Sequence, residues 1–284
     1  MRTVELVAGV KSSVLGFGCA PILGSVDSDR ARRALQTALQ HGVTHLDIAP
    51  SYGYGEAESW LGRELKGRRD EVVIATKFGI EETAKARWLR SLKPLVRWAK
   101  RVKGLRKSPS HGVLQPVPAA RLGPGLGDLF HRRVQFTPSK LIASVERSLR
   151  RLRTDRLDFL LLHEPSAELA EIDGIQEAAM QLKGAGKIRG WGLAYMREQR
   201  AIHAHYLDRF DVLQFDLSWG GPDYEAVRDV RRDHANIFFS PFRSLPPEVS
   251  RAEALTALSA DFPRSVILCS MFNPDHIRAN ARSL

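Results

Sequence analysis

The sequence predicts a single (β/α)8 barrel, a closed parallel sheet ringed by helices, with a long basic insertion after the third strand. Three observations carry that prediction. Short β-branched or leucine-rich runs alternate with segments whose apolar residues recur at helical spacing. The alternation repeats eight times within 284 residues, which fits a closed barrel better than the alternative, an open doubly wound sheet. The polar residues that interrupt apolar runs also gather at strand ends, where a barrel places its chemistry. The domain therefore spans 1–284, with 80–136 as an insertion inside it.

The elements follow in order. "VLGFGCAPI" and "VTHLDIA" read as strands, joined by the helix "DRARRALQTALQHG", which ends at a glycine cap. "EAESWLGREL" then leads to "EVVIATKFG", "SKLIASVERSLRRL" to "RLDFLLLH", and "IQEAAMQLKGAG" to "KIRGWGLA". The series continues with "REQRAIHAHYL" and "FDVLQFDLSW", "YEAVRDVRRDH" and "NIFFSPF", "RAEALTALSA" and "SVILCSM", and closes on the helix "PDHIRANARS". One interval breaks the scheme: almost sixty residues separate "ATKFG" from the helix that starts near Pro138, far more than an ordinary βα loop.

Composition narrows the function classes. The chain is 43% apolar and 26% charged, near globular averages. It shows no cationic leader and no apolar run of membrane-spanning length, so a cytoplasmic, soluble protein is expected. Cys19 and Cys269 fit no metal spacing and read as reduced core residues, with no metal site expected. The net charge of +11 is local: residues 80–136 hold 13 Lys or Arg against 3 Asp or Glu, leaving the rest of the chain nearly neutral. Nucleic-acid binding is not expected, because the basic tract carries no fold for base readout. Trp88, Leu92, Leu95, Ala99 and Val102 form one apolar stripe there, kinked near Pro94. Such a segment suits a substrate lid, a contact with an anionic membrane surface or acidic partner, or a helix packed on the barrel with a solvated face.

Asp47 closes the second strand, Tyr52 follows in a glycine-rich loop, Lys77 closes the third strand and His163 the fourth. Singly, each has an ordinary explanation: a helix cap, a turn, a snorkelling surface charge, a satisfied core histidine. At successive strand ends they become a proton-transfer group.

These residues give the chain its resemblance to the aldo-keto reductase family. The stretch from Asp47 through "AxxYGxGxxExxLG" resembles that family's first signature, "SLRRLRTDRLDFLLLH" the segment before its histidine, and "GKIRGWGL" its fifth strand. The resemblance implies hydride transfer between NADP(H), with NAD(H) as the alternative, and a small-molecule carbonyl or alcohol, without a metal. It makes Tyr52 the proton donor in reduction and base in oxidation, Lys77 the charge that lowers its pKa, Asp47 the holder of Lys77, and His163 the group that orients the substrate oxygen. It further places Gln214 on the nicotinamide amide, Phe239 under the nicotinamide ring, Ser240 on a phosphate and Asn280 on adenine.

Departures accompany the matches. The family's Ser-Asn pair after the fifth strand is Ala194 and Tyr195 here, and Ser270, Met271 and His276 stand where some members carry Lys, Ser and Arg. The loss of that basic pair weakens the case for the 2′-phosphate of NADP. The chain stops at the eighth helix, so the family's substrate-shaping tail is expected to be absent. Glu164, Asp216 and Trp219 are further candidates for the mouth. Two rival functions remain in view: a nucleotide-binding regulatory barrel with weak turnover, like the family's potassium-channel subunits, and an aldose dehydrogenase working in the oxidising direction.

Overall fold

A computed structural model of the chain describes residues 1–86 and 130–284. The helical stripe expected between Trp88 and Val102 lies outside the described residues. The chain opens with an antiparallel hairpin, β1 (Thr3–Val7) and β2 (Val10–Ser13). Eight strands then close a parallel barrel: β3 (Leu15–Gly18), β4 (His45–Asp47), β5 (Val73–Phe78), β8 (Leu157–His163), β9 (Ile188–Tyr195), β10 (Val212–Asp216), β11 (Asn236–Phe239) and β12 (Ser265–Cys269). Between β5 and β8 stands a second small antiparallel pair, β6 (Ile80–Glu82) and β7 (His131–Arg133). The barrel read from the alternating pattern is thus present, and the open sheet is excluded by closure.

The helices form the outer ring: α1 (Ser28–Gln40), α2 (Ala57–Glu64), α3 (Pro138–Leu152), α4 (Ile172–Gly184), the short α5 (Arg200–His203), α6 (Tyr224–Arg231), α7 (Arg251–Asp261) and α8 (Pro274–Arg282). Their starts are written in the sequence. Asp27 accepts hydrogen bonds from the backbone N–H groups of Asp29 and Arg30 at the head of α1, and Ser250 and Glu253 form a reciprocal capping box on α7. Thr137 and Asn273 cap α3 and α8, each followed by proline at the first helical position.

Side chains alternate along each strand, and this period divides the core in two. Val73, Ala75, Phe159, Leu161, Ala194, Val212, Ile237, Val266 and Leu268 fill the barrel interior, closed at its base by Val4, Leu6 and Val10 of the hairpin. Residues of the opposite parity, such as Leu46, Ile74, Leu160, Leu193 and Phe215, pack under the helices. The inward parity continues upward to Asp47, Lys77, His163, Gln214 and Phe239.

The sequence reading misses two features. The hairpin β1–β2 is the floor of the barrel. The pair β6–β7 carries the ends of the insertion, joining residues about fifty positions apart, which periodicity does not reveal. One expected element is also interrupted: "REQRAIHAHYL" forms two 3-10 turns around α5. His203 explains the break. Its Nε2–H donates to the carbonyl of Pro165 at 3.2 Å while Nδ1 accepts from the Tyr206 hydroxyl at 2.5 Å, and this turns Tyr206 inward at φ −135°.

Candidate active site

The loop after β4 holds three successive left-handed residues, Gly53 (φ 60°), Tyr54 (φ 59°) and Gly55 (φ 85°). Glycine is needed at two of them for space as well as for φ. A Cβ on Gly53 would lie 2.7 Å from the Ile22 carbonyl oxygen, and one on Gly55 2.7 Å from the Glu82 carboxyl carbon. This tight turn delivers Tyr52 to the mouth. Behind it, Glu58 of α2 is buried and accepts from the Thr76 hydroxyl at 2.8 Å. Arg151 of α3 joins Glu58 to Glu82. The signature's glutamate therefore fixes α2, α3 and the β6 edge around the strand that bears Lys77.

At the mouth the Lys77 ammonium donates to Asp47 Oδ1 at 2.5 Å and to the Tyr52 hydroxyl at 3.4 Å. The Ile48 carbonyl accepts a third contact at 3.4 Å. Asp47 Oδ2 accepts from Gln214 Nε2 at 2.7 Å, so the carboxylate is held from both sides. The rings of Tyr52 and His163 meet edge to face, with centroids 6.3 Å apart. The four residues named from strand ends are one cluster.

Its electrostatics differ in one respect from the sequence expectation. Burial opposes the charge on Lys77, but Asp47 and Tyr52 together outweigh it and raise the ammonium to about 12. For Tyr52 burial is the largest influence. It exceeds the downward pull of Lys77, Asp47 adds to it, and the phenol is pushed up to about 12 rather than lowered. Tyr52 thus keeps its proton at neutral pH. His163 is held well below its ordinary value, by burial first and then by the nearby positive charge of Lys77 and Arg133. It is a neutral imidazole, with Nδ1 buried and without a hydrogen-bond partner among the described residues.

Ala194 sits between His163 and Gln214 in the sheet register and faces inward. Tyr195 does not join it. Its parity sends the ring outward, stacked on Phe215 at 5.5 Å under the helices, so its side chain is absent from the mouth. Phe239 is half-buried at the inner end of β11, and Ser240 follows with φ 56°. Ser270 is exposed, while Asn280 is buried with Nδ2 on Met271 Sδ at 3.2 Å.

Four further residues, Asp216, Arg243, Arg133 and Phe130, shape the rim. Asp216 accepts from the Arg197 backbone N–H at 2.8 Å and from Arg243 Nη1 at 3.0 Å, and Arg243 also reaches the Ser240 hydroxyl at 3.3 Å. Arg243 escaped the sequence reading because it lies beyond the strand, with no apolar run to interrupt. Arg133 of β7 donates to the Glu164 carbonyl, and Phe130 meets Tyr54 edge to face at 5.5 Å. The base of the insertion accordingly borders the Tyr52 loop. Among the described residues no group of acids, histidines and cysteines is arranged to hold a metal, and no helix is long and apolar enough to cross a membrane.

A closed parallel barrel with a Tyr-Lys-Asp-His cluster at the carboxyl ends of its strands defines the class of protein. The chain belongs to the aldo/keto reductase family, whose sequence model matches residues 14–242. Aldo-keto reductase YhdN of Bacillus subtilis (strain 168) is 28% identical over 192 residues, covering 66% of this chain and 44% of that relative. A D-threo-aldose 1-dehydrogenase from a Pseudomonas species is 32% identical over 162 residues, covering 56% and 42%. The matched stretches thus span about half the length of these curated relatives or less. In fold, the chain is similar to the crystal structure of an aldo-keto reductase from Klebsiella pneumoniae in complex with NADPH, with TM-score 0.65, 19% identity and coverage of 99% and 89%.

Proposed function

We propose that the chain transfers hydride between a nicotinamide nucleotide and a small carbonyl or alcohol, with Tyr52 moving the proton. The observation that carries this reading is the Lys77 ammonium bridging Asp47 Oδ1 at 2.5 Å and the Tyr52 hydroxyl at 3.4 Å. A phenol that keeps its proton at neutral pH is a competent donor to a carbonyl oxygen. The adjacent ammonium stabilises the phenolate left behind, and Asp47, fixed by Gln214, keeps that ammonium in place. Neutral His163 orients the oxygen by a hydrogen bond. This balance favours the reducing direction near neutral pH, since oxidation needs the phenolate beforehand.

The nicotinamide nucleotide would supply the hydride. Residues at the nicotinamide end fit it: Phe239 offers a half-buried ring, and Gln214 Oε1 accepts no hydrogen bond among the described residues while Nε2 stays on Asp47. At the adenosine end, Asn280 is engaged by Met271, and basic residues come from α1 instead. Arg30 and Arg33 line a hollow of about 270 Å³ with Phe272 and Asn273, and Arg30 Nε donates to the Phe272 carbonyl at 3.0 Å. They replace in charge the basic pair missing near His276, which supports NADP(H) over NAD(H). The hairpin β6–β7 lies beside the Tyr52 loop, where its side chains would border a bound substrate.

Fluorescence titration with NADPH and NADH, followed by addition of a panel of aldehydes and aldoses, tests the reading. Saturable NADPH binding with carbonyl turnover is expected. In Arg33→Glu, affinity for NADPH should fall about tenfold or more while affinity for NADH changes little. Tight binding without turnover of any carbonyl or alcohol would favour the regulatory barrel.

A further inference from the structure

A cavity remote from the tetrad is lined by outward-facing strand residues and by the segment after β9. It holds about 400 Å³ and lies outside the barrel wall, against the outward faces of β9 and β10 and under the broken segment 200–209 and α6. That volume falls within the range of small-molecule sites. One side is apolar, built from Phe210, Phe215 and Val227. The other brings Tyr195, Arg200 and Arg231 to the same space.

The charges there do not cancel internally. Arg231 donates through Nε to Asn236 Oδ1 at 2.9 Å and through Nη2 to the Ala235 carbonyl at 3.4 Å, both uncharged partners. Nη1 has no partner among the described residues, and no carboxylate pairs with this half-buried guanidinium. Burial depresses its pKa, as expected of a cation without a counter-ion. Arg200 is exposed at the rim, also without an ion pair among the described residues. Of the nearby acids, Asp211 is taken by Lys183 at 2.8 Å and the Trp191 N–H at 2.9 Å, and Asp208 is exposed to solvent. The Tyr195 hydroxyl has no hydrogen-bond partner among the described residues, and burial keeps it protonated, pushing it up to about 12.

We propose that this cavity binds a small organic carboxylate, its apolar body against Phe210, Phe215 and Val227, its anion held by Arg231 and Arg200 and by the hydrogen of Tyr195. A monoanion fits better than a phosphate, because Arg197 is paired with Asp223 and Asp208 offsets one of the two remaining arginines, leaving one positive charge in excess, and half of the wall is apolar. The site is separate from the mouth, and the inference does not depend on the hydride-transfer reading.

Isothermal titration of the cofactor-free protein with benzoate, benzamide and phenyl phosphate tests the site. Benzoate is expected to bind one to one, with benzamide and phenyl phosphate each about tenfold weaker or undetectable. Arg200→Ala and Tyr195→Phe should each weaken benzoate about tenfold. Ala204→Trp, at an exposed wall position, should abolish binding by filling the cavity, with thermal melting as its folding control. NADPH should leave benzoate affinity unchanged. The proposal is overturned if benzoate does not bind, if benzamide or phenyl phosphate binds as well, or if NADPH displaces benzoate. Unchanged affinity in Arg200→Ala and Tyr195→Phe would overturn it even if Ala204→Trp does not fold.

Discussion

At Lys77 one ammonium faces a carboxylate at 2.5 Å and a phenol at 3.4 Å, so its removal acts on both. Lys77 lowers the Tyr52 pKa against the larger effect of burial. In Lys77→Met the phenol should therefore hold its proton to still higher pH. The pH dependence of kcat/KM for reduction should lose or raise its alkaline limb while the rate falls by about 10² or more. An alkaline limb that stays in place or moves down would contradict the proposed coupling. Asp47, Tyr52, Lys77 and His163 were legible in the sequence because a charged or polar group at the end of an apolar strand is conspicuous. Their balance was not, since the pull of a neighbouring charge can be guessed from residue types but burial of the phenol requires the fold. The bond from Gln214 to Asp47 was hidden for a similar reason: it joins strands 167 positions apart.

Among the elements, the period of the strands explains both what the sequence disclosed and where it misled. Asp47, Lys77, His163, Ala194, Gln214 and Phe239 share the inward parity of the barrel. Tyr195 is one residue out of step, and counting from Ala194 along β9 was a signal that it faces the helices. The signature's Gly62 shows the same dependence on packing. A Cβ there would lie 2.5 Å from the Leu152 carbonyl oxygen, between α2 and α3. Gly62→Ala gains helix propensity yet must push two helices apart. We expect a net loss of about 1–3 kcal/mol in denaturant unfolding, and a more stable variant would contradict the close contact. The hairpins β1–β2 and β6–β7 escaped notice because no helix alternates with their strands, the signal that marked barrel strands of equal length.

Across the whole molecule, the barrel shelters neutral histidines at both ends. His45, near the floor, is fully buried with Nδ1 on the Ser12 hydroxyl at 2.8 Å, and burial lowers it to about 4. His163 is lowered at the mouth. A histidine with a depressed native pKa binds its proton more readily in the unfolded chain, so stability is retained above pH 6.5 and lost as pH falls toward the native value. Urea midpoints should therefore drop between pH 6.5 and 4, by roughly 1.4 kcal/mol per pH unit for each histidine at most. His45→Asn should flatten that slope, and an unchanged slope would contradict burial of an uncharged ring at this position.

The central claim is that Tyr52 moves the proton within a site that other residues hold together. Single-turnover reduction by Tyr52→Phe, measured with NADPH affinity on the same protein, tests it most directly. Loss of about 10²–10⁴ in rate with cofactor affinity nearly unchanged is the expected result, because the substitution removes one hydroxyl and leaves Lys77, Asp47 and Gln214 in contact. Reduction at the native rate, with cofactor still bound, would contradict the account.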